Sequence, residues 1–132
     1  MSEILYKETA GQLETASGSW TPIPGLEFKL PAVSTNQTTA LITLNLPNPY
    51  ASGSNFPGGT IGIAVNGAVL VNIGCFSSDS QQPQSFGRKP VTLVIQVQLS
   101  SGNTQLIQGM WQNVRNSTVI IDTPATLSAI IS

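Results

Sequence analysis

A chain of 132 residues is long enough to close one continuous hydrophobic core and is read as a single domain, residues 1–132. Hydrophobic residues make up 40% and charged residues 8%, where an ordinary soluble domain carries about 25% charged; this excludes disorder and points to an outside that is hydroxyl-rich or covered by copies of the chain. The net charge of −1, with no run of like charges, excludes a basic footprint for nucleic acid or anionic lipid.

The N-terminal Met1-Ser2-Glu3-Ile4-Leu5-Tyr6-Lys7 has neither a basic nor an apolar leader region. The expectation is synthesis in the cytoplasm without a signal peptide, any later release using another route. No apolar stretch approaches the roughly 18 residues that span a bilayer, so no membrane insertion is expected. Period-two alternation then recurs along the chain. In Leu26–Leu30 the apolar residues take one face and Glu27 and Lys29 the other, a half-buried strand. Thr39–Leu46 sets Ala40, Ile42, Leu44 and Leu46 on one side. Asn66-Gly67, the strongest two-residue hairpin signal, divides a strand at Thr60–Val65 from one at Ala68–Ile73. Val91–Leu99 is the clearest strand, with Val91, Leu93, Ile95, Val97 and Leu99 inward. Ser100-Ser101-Gly102-Asn103 reads as a hairpin leading into Thr104–Trp111, and Thr123-Pro124 separates Thr118–Asp122 from Ala125–Ile131. Roughly nine or ten strands with turns between them imply an all-β sandwich of two antiparallel sheets, a jelly roll in preference to an immunoglobulin arrangement. Two longer segments, Pro47–Gly59 and Ser77–Pro90, are either plain surface loops or the loops that carry a binding site.

The chemistry is pruned by absences. No histidine is present, which removes Ser-His and Cys-His nucleophilic machinery and imidazole metal sites. The single cysteine, Cys75, lies among apolar neighbours and reads as a buried structural thiol. Glu3, Glu8, Glu14, Glu27, Asp79 and Asp122 form no calcium-loop spacing, and no nucleophile elbow, P-loop or dinucleotide fingerprint occurs. No enzyme activity, metal or cofactor is expected. The sequons at Asn36 and Asn116 are read as accidental. The two arginines, Arg88 and Arg115, are the sharper feature. A guanidinium offers a planar fork of donors that spans neighbouring sugar hydroxyls; alternatively, each arginine pairs with a carboxylate such as Asp79 or Asp122.

Several segments, taken together, resemble one family. They are Ile23-Pro24-Gly25-Leu26, Pro49-Tyr50-Ala51, Asn55-Phe56-Pro57-Gly58, Gly74-Cys75-Phe76, Ser85, Gly87-Arg88, Pro90, Thr92-Leu93-Val94, Gly109, Trp111, Val114-Arg115, Ile121-Asp122 and Leu127-Ser128-Ala129-Ile130. This series, from about Ile23 to Ile130, is similar to the TNF-like, fucose-binding domain at the N-terminus of the Burkholderia two-domain lectins. The resemblance implies a TNF-like jelly roll assembling as a homotrimer, with calcium-independent sugar sites between protomers. By position, Tyr50, Ser85 and Arg88 would form one wall, and Ser77 and Arg115 of the neighbouring protomer the other. The chain departs from the family at Thr60 and Ser78, where the family has tyrosines, and at Phe86, where it has a threonine; the shape around the hydrogen-bonding core is therefore changed. The resemblance is to the N-terminal domain alone, and the calcium-dependent second domain of those lectins is not expected here. The expected partners are fucosylated glycans and further copies of the chain. The rival readings are a structural jelly-roll trimer subunit, fibre-head or capsid-like, and a TNF-like protein ligand without sugar binding.

Overall fold

The computed structural model describes residues 3–33, 38–79 and 87–132, and every regular element in them is a β-strand. In chain order these are β1 (Glu3–Glu8), β2 (Leu13–Thr15), β3 (Thr21–Leu30), β4 (Thr39–Leu46), β5 (Tyr50–Ser52), β6 (Gly58–Val65), β7 (Ala68–Val69), β8 (Gly74–Ser77), β9 (Val91–Gln98), β10 (Gln105–Val114), β11 (Thr118–Ile121) and β12 (Thr126–Ile131). All ladders are antiparallel. One sheet runs β1-β12-β4-β9; a second runs β3-β10-β6, with β7 and then β8 along the free edge of β6; a small third sheet runs β2-β11-β5.

The alternation read from the sequence is the burial that the chain adopts. Ala40, Ile42, Leu44 and Leu46 of β4 are fully buried, as are Leu26 and Leu30 of β3, while Glu27 and Lys29 face water. Val91 and Ile95 of β9 are buried with Leu99 beyond the strand end, and Leu93 and Val97 pack on the core from its margin. The layers meet closely at Gly109 of β10. A β-carbon there would lie 3.1 Å from Leu44 Cδ1 of the facing sheet and 3.3 Å from Leu26 Cβ, tight enough that the leucines would have to give by a few tenths of an ångström. Trp111 of β10 is the largest fully buried side chain.

The architecture is the all-β jelly-roll sandwich expected, with twelve strands among the described residues and a third hydrogen-bonded sheet in place of roughly nine or ten strands in two. The extra elements are the short β2 and β5, which pair with β11, β8, which pairs with β6, and β1, which pairs with β12 while keeping Ile4 and Tyr6 outward. Asn66 and Gly67 both take positive φ, 52° and 88°, and close the β6–β7 hairpin as their residue types demand. The second strand stops at Val69 instead of Ile73, and the chain regains the edge of β6 only at Gly74. Ser100–Asn103 is not a hairpin. Gly102 turns with φ 86°, but β9 pairs β4 and β10 pairs β3 and β6, so the chain crosses between sheets there. Turn chemistry specifies a reversal without specifying which sheet receives the next strand. Cys75 is exposed, not buried: the inward residue of β8 is Phe76, and alternation turns Cys75 and Ser77 outward.

β6 is buried along nearly its whole length on both faces. At Gly58 a β-carbon would stand 2.1 Å from the Phe76 carbonyl oxygen and 2.8 Å from Ser77 Cα, backbone that has nowhere to move. Gly58→Ala should therefore force β8 away from β6, at a cost of about 1–3 kcal/mol or more, read as a lower urea midpoint; an unchanged midpoint would contradict this packing.

Candidate functional site

Two clusters of polar side chains gather at the ends of the β5–β11 ladder. The first is built around Arg88. Pairing of Tyr50 with Ile120 sets Asp122, two residues further on, beside the β4–β5 connection. The Lys89 amide donates to the Pro49 carbonyl over 3.2 Å and fixes the chain leading into β9 against that connection. Arg88 Nη1 donates to Asp122 Oδ1 at 2.5 Å and to the Asn48 carbonyl at 2.9 Å; Nη2 donates to Asp122 Oδ2 at 2.9 Å. The guanidinium carbon lies 4.6 Å from the Tyr50 ring centroid, a cation–π contact. A bidentate fork, a carbonyl and an aromatic face leave the guanidinium one orientation. Its Nε–H and second Nη2–H have no partner among the described residues, and the ion pair is open to solvent, with 27% and 28% of the two side chains exposed. Hydrogen bonding from Arg88 holds the Asp122 carboxyl below the usual carboxylate range, and the same bond raises Arg88 further above its ordinary value.

The second cluster is built around Arg115, at the turn between β10 and β11. Its Nε donates to the Phe56 carbonyl at 2.9 Å and the Asn55 carbonyl at 3.1 Å; Nη2 donates to the Phe56 carbonyl at 2.5 Å and to Ser77 Oγ. The Nη1 amino group has no partner among the described residues. The turn beneath is anchored from inside. Ser117 Oγ lies 2.7 Å from both the Gly58 and Val114 carbonyls and accepts from the Gly58 amide at 3.2 Å. Asn113 Nδ2 donates to the carbonyls of Ala16 and Ser117 at 2.9 and 2.7 Å. Arg115, Asn116 and Phe56 all take positive φ, 51°, 56° and 45°.

Of the residues singled out in the sequence, Tyr50 and Arg88 come together, and Ser77 and Arg115 come together. Ser78 follows Ser77, its amide donating to the Pro57 carbonyl at 2.9 Å. Thr60 shares the outward face of Ser77, two register positions along β6–β8, but is 5% exposed with its Oγ1 3.5 Å from Cys75 Sγ. Ser85, Phe86 and the sequon at Asn36 lie outside the described residues. The carboxylate alternative is what Arg88 adopts, with Asp122; Arg115 is held by carbonyls and a hydroxyl instead. Asp122 stood among the carboxylate partners weighed from the sequence; Asn48 and Phe56, which take part through backbone carbonyls, were not singled out as members of the clusters. Arg115 precedes the Thr118 end of β11 and Asp122 follows its other end. At about 3.3 Å per residue, Asp122 lies about 13 Å beyond Thr118, so one protomer keeps the clusters further apart than a sugar ring spans. Among the described residues no group of three His, Cys, Asp or Glu side chains gathers that could hold a metal ion.

A family model described as the N-terminal domain of Bc2l-C matches residues 10–130 of this chain. No curated protein matches it. Among solved structures, the crystal structure of dimeric latent PorU from Porphyromonas gingivalis is similar with a TM-score of 0.54 at 13% identity, over 98% of this chain and 12% of that one. The chain thus corresponds to a small part of that protein, and the likeness is one of fold alone.

The Arg88–Asp122 pair has a pH signature. Because Asp122 is depressed in the folded chain, the stabilisation it supplies is complete above the unfolded value of about 3.9 and is lost as pH falls through the lower folded value. A carboxyl-carbon NMR titration should place Asp122 below about 3.9, and Arg88→Ala should return it there; an unshifted midpoint in the unaltered protein would show that the pair does not form in solution.

Proposed function

The chain belongs to the Bc2l-C N-terminal domain family, whose membership supports a lectin-like, carbohydrate-binding role, and from that premise we propose that it is a non-enzymatic lectin taking fucose or fucosylated oligosaccharides between protomers of a trimer, without calcium. The observation that carries this reading is the division of the polar clusters. Each holds an arginine fixed by the protein with N–H donors that have no partner among the described residues, and in this reading neither is a complete sugar site alone. A neutral saccharide needs donors for its hydroxyls and an apolar surface for its C–H face. Arg88 with Tyr50 offers both, and Arg115 with Ser77 from an adjacent copy completes the enclosure. Ser85 and Phe86, next to Arg88 in sequence, belong to the first wall in this reading; Thr60 and Ser78 belong to the second.

Self-association has support of its own. The outward face of the β1-β12-β4-β9 sheet carries Ile4, Ile130 and Leu41 in one register row, with Tyr6 and Val94 in the next, all about half exposed or more. A second and third copy of the chain are the occupants that would cover this face and bring the two half-sites into register. Low charge content follows if much of the surface is hidden in this way.

A monosaccharide of roughly eleven heavy atoms gains about −3 to −4 kcal/mol, a dissociation constant near the millimolar range. Three sites engaging one surface would raise avidity by ~10² to 10⁴, so assembly is part of the function. Binding on a glycan array, inhibited by free fucose, is the first expected result. Arg88→Ala and Arg115→Ala should each lose about 1.5–3 kcal/mol per charge-assisted hydrogen bond by calorimetry, with the trimer intact. Full affinity in both variants would refute the site, and assembly without any glycan binding would favour the structural trimer. Leu41→Glu, placed mid-face, should give a folded monomer by light scattering that no longer binds fucose; a persistent trimer would move the interface elsewhere.

A further inference from the structure

Phe56 has a conformation that its residue type does not favour. It is a bulky residue at φ 45°, where glycine and asparagine are at ease and a ring-bearing side chain is an outlier. It also precedes Pro57, which disfavours this departure from extended backbone. The surroundings hold it there nonetheless. Its carbonyl accepts from Arg115 Nε and Nη2 at 2.9 and 2.5 Å and lies 3.3 Å from Ser77 Oγ, while the Pro57 carbonyl accepts from the Ser78 amide at 2.9 Å. Strain that is over-determined by its neighbours, at a site of exposed polar groups, points to a use for the residue held. The ring is not used as core: Phe56 is 39% exposed, whereas Phe76 of the adjacent strand turns inward at 7%.

Resting on the lectin reading above, we infer that Phe56 is a specificity-determining residue of the Arg115 half-site, an aromatic platform for the apolar C–H face of the saccharide whose hydroxyls the guanidinium engages. The backbone atom that orients Arg115 and the ring that would face the sugar belong to one residue, so donor and platform are set at a fixed offset. Thr60, buried against Cys75, and Ser78, which has no ring, leave this wall without another apolar surface at the sequence positions considered for it.

The experiment uses the full chain with methyl α-L-fucoside as the probe, by calorimetry, alongside thermal unfolding and light scattering. Phe56→Gly removes the ring while accepting positive φ without strain, so the carbonyl continues to hold Arg115. The expected result is an unchanged or raised melting temperature, an intact trimer and an affinity lower by about tenfold. Phe56→Leu, which keeps bulk but has no aromatic face, should lose a similar factor, and Phe56→Tyr should retain affinity within about twofold. Glycine and leucine variants that bind within about twofold of the unaltered protein would overturn the platform. Loss of the trimer in Phe56→Gly would also overturn it, making Phe56 a contact between copies. An unaltered protein that does not bind the fucoside would instead bring down the lectin reading itself, and this inference with it.

Discussion

The packing of β6 is the constraint from which the rest of the structure follows. A strand covered on both faces must be narrow where its neighbours close in, and glycines stand at Gly58, Gly59 and Gly62. At Gly59 a β-carbon would lie 2.7 Å from Val119 Cγ2, on the core side; at Gly62 it would lie 2.9 Å from Val69 Cγ1 and 3.2 Å from the Trp20 ring. Between them these contacts bring β11 under the strand, β8 along its edge and the Trp20 ring over its outer surface. Ser77 is where it is because Gly58 lets the Phe76 carbonyl approach, and the Arg115 turn is where it is because Ser117 hydrogen-bonds Gly58.

The polar clusters inherit their geometry from this scaffold and not from each other. Arg115 is oriented by carbonyls of the segment entering β6; Arg88 is oriented by the segment leaving β4 and by the carboxylate that follows β11. The short β5–β11 ladder is the spacer between them. Two rigid clusters at a set separation are a natural basis for the proposed site between copies, in which each copy would supply one half to each neighbour. The exposed apolar rows lie on the β1-β12-β4-β9 sheet, whereas the ladder that spaces the polar clusters belongs to the β2-β11-β5 sheet.

How much of this was legible in the sequence differs from element to element. β4 and β9 were plain because one face of each is buried and the other wet, which writes a two-residue period into the chain. β6 shows no such period because both of its faces are covered, and β1 hides its role because Ile4 and Tyr6 are apolar residues on an exposed face. The Asn66-Gly67 turn could be read since asparagine and glycine advertise positive φ; Phe56 could not, since nothing in a phenylalanine announces it. The arginines drew notice by scarcity and by resemblance. Asp122 stood among the carboxylates that might neutralise one of them, but that it grips Arg88 by both oxygens depends on a ladder between β5 and β11, strands separated by the whole middle of the chain. Cys75 went astray because its apolar neighbours in sequence are not its neighbours across the sheet.

The carboxylate on Arg88 also decides what kind of ligand the first half-site discourages. With both oxygens of Asp122 against the fork, the positive charge of Arg88 itself is matched within that half. If that wall holds a saccharide as proposed, sialylated or sulfated glycans would gain little net attraction from the pair, and complex formation there should vary little with ionic strength. In the lectin reading, a preference for uncharged sugars would thus follow from an ion pair that needs no contact with the discriminating group.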